Sequence, residues 1–509
     1  MKMSDINLTK EEKAYYLSQE PLLKHMFQHL QALKKLAHSD KTVIAAIETA
    51  IAYARKFNDK VIRPVYKQID LEVARNPDYL AWDFVQKASE WGLYTLFIPK
   101  MCGGTGLNTV AINPFLEELA SVCPGLALTV GAHYLGWGAL VTCWNFPLTV
   151  KMSRMIKEEE QKGNPMLFCA AMTETDKGTD TEEMDLLEKG KPAITVARKV
   201  NGGYILNGQK IFITNGHYCT WHMVCAFTDR NKPVGSLVGA MVHKDWKGFS
   251  HGRIERKMGQ KSGIASELIL EDVFVPDEYI AVNLENFPET STRSRRLLQQ
   301  MMVDYIISTA RFNVAAFAIG LARGAYDTAL EYARSKKVNG TPLIQYQWAQ
   351  MLLADMYKNI NIARQTVSEA NYAAQLYGIS SIMHTPLIAF MEKYVPETVW
   401  KLWTPFMTLK LTSWILRKWT YYWHPIDNFQ TQTVNSSIAK LTASDIGVLN
   451  SQLAMELMGI DGCRHDIGAE KYLRDAKLVN IYEGTNQLQK LNIGNYRIFR
   501  NMDEVRVFE

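Results

Sequence analysis

A chain of 509 residues is longer than one hydrophobic core usually organises, so two or three domains are expected. A net charge of +5, with Lys and Arg dispersed rather than run together, removes nucleic acid as the default partner. Seven cysteines, scattered and never in a CxxC pair, argue against a disulfide framework or a zinc site, so no metal and a reducing compartment are expected.

The amino terminus, MKMSDINLTKEEKAYYL, lacks an apolar signal core and an Arg-rich amphipathic pattern, and this predicts a cytoplasmic protein. Residues 1–165 read as a helical domain. In PLLKHMFQHLQALKKLA, Leu23, Phe27, Leu30 and Leu33 share one helical face. The stretch from Pro99 through Gly103, Gly104 and Gly106 breaks that pattern, predicting a loop that turns tightly or meets something closely.

Over 166–282 the period changes to that of strands. AITVARKVNGGYILNGQKIFITNG is rich in β-branched and aromatic residues, and Asn201-Gly202 and Asn207-Gly208 predict tight hairpins. SLVGAMV, RIERKM and SELILEDVFVP continue the series. Consecutive strands without intervening helices predict a small antiparallel sandwich or barrel rather than a parallel dinucleotide-binding sheet.

Residues 283–509 return to helical spacing. Ala316, Gly320 and Gly324 make a flat row against which a second helix can pack. The overall prediction is an α+β multidomain chain: a helical domain, a β domain, then a helical bundle. An insertion at about 376–436 carries Trp400, Trp403, Trp414, Trp419 and Trp423 among Lys401, Lys410, Arg417 and Lys418, broken by Pro386, Pro396, Pro405 and Pro425. It falls short of the roughly 20 apolar residues that a spanning helix needs. Two readings stay open: burial on the bundle or in a subunit interface, or peripheral docking on a membrane or redox partner through 390–425.

Near the end, VNIYEGTNQLQK sets Glu483 between apolar residues and a Gly-Thr turn. Taken alone, a glutamate there reads as a solvated turn residue. Desolvated by Ile481 and Leu488, with Gly484 admitting a ligand, it reads as a base of raised pKa able to take a proton from weakly acidic carbon.

YEGTNQLQ resembles the YEGT signature of the acyl-CoA dehydrogenase family, and the likeness runs over nearly the whole chain. LEELASVCPGLALTVGAHYLG, MTETDKGTD, YILNGQKIFITNG, KMGQKSGIASELILEDVFVP and YLRDAKLVNIYEGT are similar to five family motifs, in order. The resemblance implies α,β-dehydrogenation of an acyl-CoA to the 2,3-enoyl-CoA. Glu483 would be the base and FAD the hydride acceptor, with electrons passed to an electron-transfer flavoprotein and a homotetramer built as a dimer of dimers. It assigns Met172, Thr173, Thr179, Phe212 and Thr214 to the flavin, and Thr485, Asn486 and Gln487 to a cofactor-binding turn. Thr179, Ser308, Arg311, Tyr482 and Gly484 would meet substrate. Each alone reads more simply: MTETDKGTD as a polar turn, KIFITNG as a packed strand, Arg311 as a helix-surface charge. Ser308, Thr309 and Ala310 stand where some family members carry the base, and none can serve as one.

The diphosphate grip departs from the family pattern. Lys336 stands for its arginine and Asn339 for its phenylalanine, while Glu456 replaces the glutamine of a Gln-x-x-Gly-Gly motif whose first glycine is Gly459 and whose second is Ile460. Tyr346 and Gln347 match the family's Phe-Gln pair. An oxidase or a decarboxylating or isomerising relative on the same scaffold, or a non-catalytic flavin- or acyl-CoA-binding protein, are the alternatives.

Overall fold

The structure is a computed structural model that describes residues 6–19, 29–502, 504–505 and 507–508. Leu23 and Phe27 lie outside the described residues. Leu30 and Leu33 are buried, as their helical spacing predicts.

Helices Val43–Phe57, Ile112–Val122, Pro124–Thr142 and Phe146–Gln161 dominate the first part. Strands follow from β1 (Leu167–Ala171) and β2 (Val196–Val200) through β3 (Gly203–Thr214), β4 (Cys219–Phe227), β5 (Leu237–His243), β6 (Phe249–Ile254) and β7 (Ala265–Pro276) to β8 (Ile280–Asn283). The last part is built on the long helices Arg295–Ser335, Gln347–Tyr377 and Ile426–Met458.

The loop at Pro99 turns as its glycines predict. Gly103 and Gly106 take φ of 93° and 74°, and a Cβ on Gly104 would sit 2.1 Å from the Ile98 carbonyl oxygen. The flat row also behaves as predicted: Cβ atoms on Gly320 and Gly324 would lie 2.3 and 2.2 Å from the Glu117 and Ser121 carbonyls, so helix Ile112–Val122 runs directly against it. Buried ion pairs reinforce that contact, with Glu117 meeting Arg323 at 2.9 Å and Arg364 at 2.6 Å, and Glu118 meeting Arg55 at 2.8 Å.

The sheet runs β6-β7-β3-β2-β4-β5-β8, with β1 added beside β4. Most pairings are antiparallel, as expected, but β1 pairs parallel with β4, and β2 touches β4 in parallel through the single pair Val196 and Phe227. Parallel neighbours need a long crossover: between β1 and its partner β4 the chain passes through helix Met184–Lys189 and the β2–β3 hairpin, and β3 alone separates β2 from β4. Two local expectations fail. Gly202, at φ 77°, does turn the β2–β3 hairpin. Asn207-Gly208 instead lies inside β3, at a register shift against β7, where a Cβ on Gly208 would stand 2.5 Å from the Thr195 Cα. The glycine therefore serves a bulge and a close crossing rather than a second hairpin. RIERKM leaves the sheet at Ile254.

The helix Arg295–Ser335 is apolar and long enough to cross a membrane, yet 83% of its most apolar window is buried inside the protein. It is the central helix of the packed core.

Candidate active site

Three segments from distant parts of the sequence meet here. After β1 the chain enters MTETDKGTD, and Ile211 N–H donates to the Thr173 carbonyl at 3.0 Å, tying this loop to KIFITNG. A buried ion pair fixes the join. Lys210 Nζ donates to Glu174 Oε1 and to the Met172 carbonyl, both at 2.9 Å, and Glu174 also accepts from the Ile194 and Thr195 N–H groups. Burial pushes the Glu174 carboxyl up, but Lys210 and the two N–H groups outweigh it and hold it below its ordinary range. Replacing Lys210 with Met strands that carboxylate, at a cost of about 3–5 kcal/mol; thermal melting of the purified variant checks this.

Phe212 is 55% exposed and has φ of 57°, in a strand whose neighbours Ile211 and Ile213 are buried. A large ring turned out of a sheet in the left-handed region is uncommon for a non-glycine residue and offers a flat apolar platform. Thr214 follows it partly exposed, and Asn215 pins the end of β3 by donating from Nδ2 to the Thr129 carbonyl at 2.7 Å. Thr179 opens the short turn Thr179–Glu182, which ends on the carboxylate that pairs with Arg311.

The YEGT turn closes the site. Glu483 and Gly484 take successive left-handed conformations, φ 54° and 77°. At Gly484 the φ of 77° favours glycine, and a Cβ there would also press on Glu182 Oε2 at 2.6 Å and Gln489 Nε2 at 2.7 Å. Three polar side chains hold the turn's carbonyls: Gln489 Nε2 and Arg311 Nε donate to the Glu483 carbonyl at 3.2 and 3.4 Å, and Lys440 Nζ to the Gly484 carbonyl at 2.9 Å. Among the described residues nothing accepts from the Glu483 backbone N–H. Thr485 Oγ1 caps helix Asn486–Ile493 by accepting from Leu488 N–H. Tyr482 Oη donates to Gln260 Oε1 at 3.2 Å.

The charges around Glu483 decide its protonation. Burial raises its pKa to about 7, the Glu182 carboxylate adds to the rise, and Arg311 and Lys440 oppose it. Lys440, fully buried, is itself lowered to about 7 by burial and by Arg311. Glu182 pairs with Arg311 at 3.0 Å, and Arg311 is only 2% exposed. Behind them, burial pushes Glu183 and Asp304 up as well. The arrangement is a poised carboxylate in a nearly balanced nest of buried charge.

The structure thus gathers Met172, Thr173, Phe212 and Thr214 around the β3 end, and Glu182, Arg311, Lys440, Glu483 and Gly484 at the turn. Other sequence candidates are spent elsewhere. Ser308 is buried and accepts from Gln432 Nε2 at 2.8 Å. Asn486 is occupied by Lys440, Ser444 and Asp445, while Gln487 is exposed. Lys336 pairs with Asp461 at 2.8 Å, Glu456 is exposed, Gly459 ends its helix, and Tyr346 Oη donates to the Val338 carbonyl beside exposed Gln347. Lys336 stands far along the fold from the turn: it lies 25 positions beyond Arg311, just past the end of one continuous helix, about 37 Å away at ~1.5 Å per residue. Lys210, Glu182 and Lys440 are the residues that sequence reasoning missed. Nothing local distinguishes them from surface charges.

Known proteins share this organisation. The acyl-CoA dehydrogenase N-terminal domain model matches residues 47–143, the middle domain model 169–273, and the C-terminal domain model 301–409 and 415–496. The short-chain-specific acyl-CoA dehydrogenase of Clostridium acetobutylicum is 28% identical over 88% of this chain and 96% of its own. A probable acyl-CoA dehydrogenase, FadE25, of Mycobacterium tuberculosis is 27% identical over 86% and 91%. The butyryl-CoA dehydrogenase structure from Megasphaera elsdenii superposes with a TM-score of 0.66 at 24% identity, covering 89% of this chain and 98% of that one. All three domain models fall in order on the first helices, the sheet and the bundle, and the chain is an oxidoreductase of the acyl-CoA dehydrogenase family.

Proposed function

We propose that this protein removes two hydrogens across the Cα–Cβ bond of an acyl-CoA thioester, giving the 2,3-enoyl-CoA, with Glu483 as the base. The observation that carries this reading is Glu483 set beside Glu182, Arg311 and Lys440 on a left-handed turn with Gly484, where burial and the Glu182 carboxylate push its carboxyl up to about 7. A base poised near neutrality combines a substantial ionised fraction with the driving force to take an α-proton. The Glu483 N–H, which meets no acceptor among the described residues, can donate to the thioester carbonyl as charge develops there, so one residue would supply both base and oxyanion donor.

FAD, when bound, supplies the hydride acceptor that no side chain can provide. The residues suit it: the exposed Phe212 ring offers a stacking face, and the partly exposed Met172, Thr173, Thr179 and Thr214 would meet the flavin edge. Thr485 and Gln487 border the same turn. The 37 Å spacing along the long helix supports assigning Lys336, Tyr346, Gln347, Glu456 and Gly459 to the diphosphate end of a cofactor held by a second copy of the chain, within a dimer of dimers. Asp461 already neutralises Lys336, so this grip is weaker than an unpaired arginine would give.

Electrons then pass to an electron-transfer flavoprotein. The test is anaerobic titration of the holoenzyme with straight, branched, cyclic and aromatic acyl-CoAs, followed by admission of oxygen. Loss of visible flavin absorbance with at least one acyl-CoA, and its slow return in oxygen, are expected; flavin that stays oxidised with every thioester overturns the reading, and rapid return in oxygen makes the protein an oxidase.

The charge nest gives a second expectation. Glu182→Gln removes a carboxylate that raises the Glu483 pKa, so the acidic limb of the kcat/KM profile moves to lower pH. A pH series over the wild type and the variant measures the shift.

A further inference from the structure

The segment from Pro386 to Trp423 presents the wrong faces for a water-exposed surface. Four of its polar groups point inward, onto the first helical part of the protein. Glu392 accepts from Lys100 N–H at 3.0 Å, Thr404 from the Arg154 guanidinium, and Ser413 Oγ from Phe146 N–H at 3.0 Å, while Arg417 Nε donates to the Cys143 carbonyl at 3.1 Å. Its apolar groups point outward. Phe390, Leu402, Trp403, Leu411, Trp414 and Trp423 are between 44% and 71% exposed. Helix Lys410–Arg417 shows the inversion within eight residues: Ser413 is buried, whereas Leu411, Trp414 and Ile415 face solvent. Trp400 and Tyr421, both buried, anchor the segment so that the outward face is held in place.

Charge identifies what covers this face. Residues 386–423 hold five basic side chains against two acids, and one of each, Arg417 and Glu392, is turned inward. Lys393, Lys401 and Lys410 are exposed among the aromatics, and Lys393 and Lys418 stand 5.0 and 3.9 Å from the Tyr394 and Tyr422 ring centres. Trp and Tyr with interleaved Lys suit the boundary between lipid headgroups and acyl chains. A second copy related by a twofold axis would bring this basic face against itself, which is repulsive. The helices Pro386–Tyr394, Glu397–Met407 and Lys410–Arg417 have 9, 11 and 8 residues, at most about 17 Å each at ~1.5 Å per residue, too short to cross roughly 30 Å of hydrocarbon. They can lie in a membrane surface but not span it.

We propose that residues 386–423 dock this protein peripherally on an anionic phospholipid surface, with the aromatic and leucine side chains entering the headgroup layer and the lysines meeting lipid phosphates. The test is cosedimentation of the holoenzyme with extruded phosphatidylcholine vesicles, with and without phosphatidylglycerol. Wild type is expected to pellet with the phosphatidylglycerol vesicles and to stay largely soluble with phosphatidylcholine alone. Leu411→Ser/Trp414→Ser removes apolar contact, and Lys393→Glu/Lys410→Glu reverses charge without touching the core; each is expected to weaken vesicle binding more than about tenfold. Wild type that remains in the supernatant with both vesicles, or variants that pellet as wild type does, overturn the proposal. So does a fall in oligomer mass on sedimentation velocity of either variant, which would make the face a protein interface.

Discussion

Glu483→Gln is expected to lower turnover by about 10²–10⁴-fold, the share a positioned general base contributes, while leaving acyl-CoA binding and flavin content nearly unchanged. The amide keeps the volume and the backbone of the turn, including the N–H available to the thioester, so the loss falls on kcat rather than KM. Only an ionised carboxylate can accept the α-proton. With its pKa raised to about 7, wild-type kcat/KM should fall about tenfold per unit as pH drops well below 7, and the variant should lose that limb altogether. Stopped-flow bleaching of the flavin by acyl-CoA, measured over a pH series, reads both effects. Near-normal bleaching in the variant would move the base elsewhere. Ser308, Thr309 and Ala310 on the long helix offer no replacement, and Glu182, the nearest rival carboxylate, is committed to Arg311.

Much of this was legible in the sequence because the decisive features are local. The glycine after Glu483, the paired glycines near Cys102 and the small residues at Ala316, Gly320 and Gly324 each announce a backbone constraint within a few positions, and each constraint is found where the sequence puts it. The order of helices, strands and helices follows from periodicity alone. What was not legible depends on partners far away in the chain. Lys440 looks like a helix-surface cation, yet its Nζ reaches under a turn 44 residues later. Glu182 looks like part of an acidic run, yet it meets Arg311 across 129 residues. Asn207-Gly208 has hairpin chemistry, but the crossing of Thr195 and the bulge against β7 decide its role. The Trp-rich segment shows the same limit, since its sequence left burial and peripheral docking both open, while the bonds of Glu392, Thr404 and Ser413 decide which groups turn inward.

Arg311→Met is expected to destabilise the folded state as strongly as the loss of Lys210. Arg311 is almost sealed from water and holds Glu182, Ser437 and the Glu483 carbonyl together, with the Asn492 amide oxygen 3.3 Å away in its better orientation. Methionine preserves much of the side-chain volume but leaves Glu182 ionised or forced to protonate beside Glu483, a loss of about 3–5 kcal/mol for a broken buried pair. Because Arg311 also holds the Glu483 pKa down, its removal should move the acidic limb of kcat/KM to higher pH, opposite in sign to Glu182→Gln. The double variant Arg311→Met/Glu182→Gln removes both charges and should recover part of the melting temperature. Arg311→Lys keeps the charge without the planar fork, so it should restore the limb more fully than the stability. Equal melting of the single and double variants would show that shape, rather than the buried charge pair, holds the YEGT turn; opposite limb shifts with partial recovery would show that the same charges that stabilise the turn set the strength of its base.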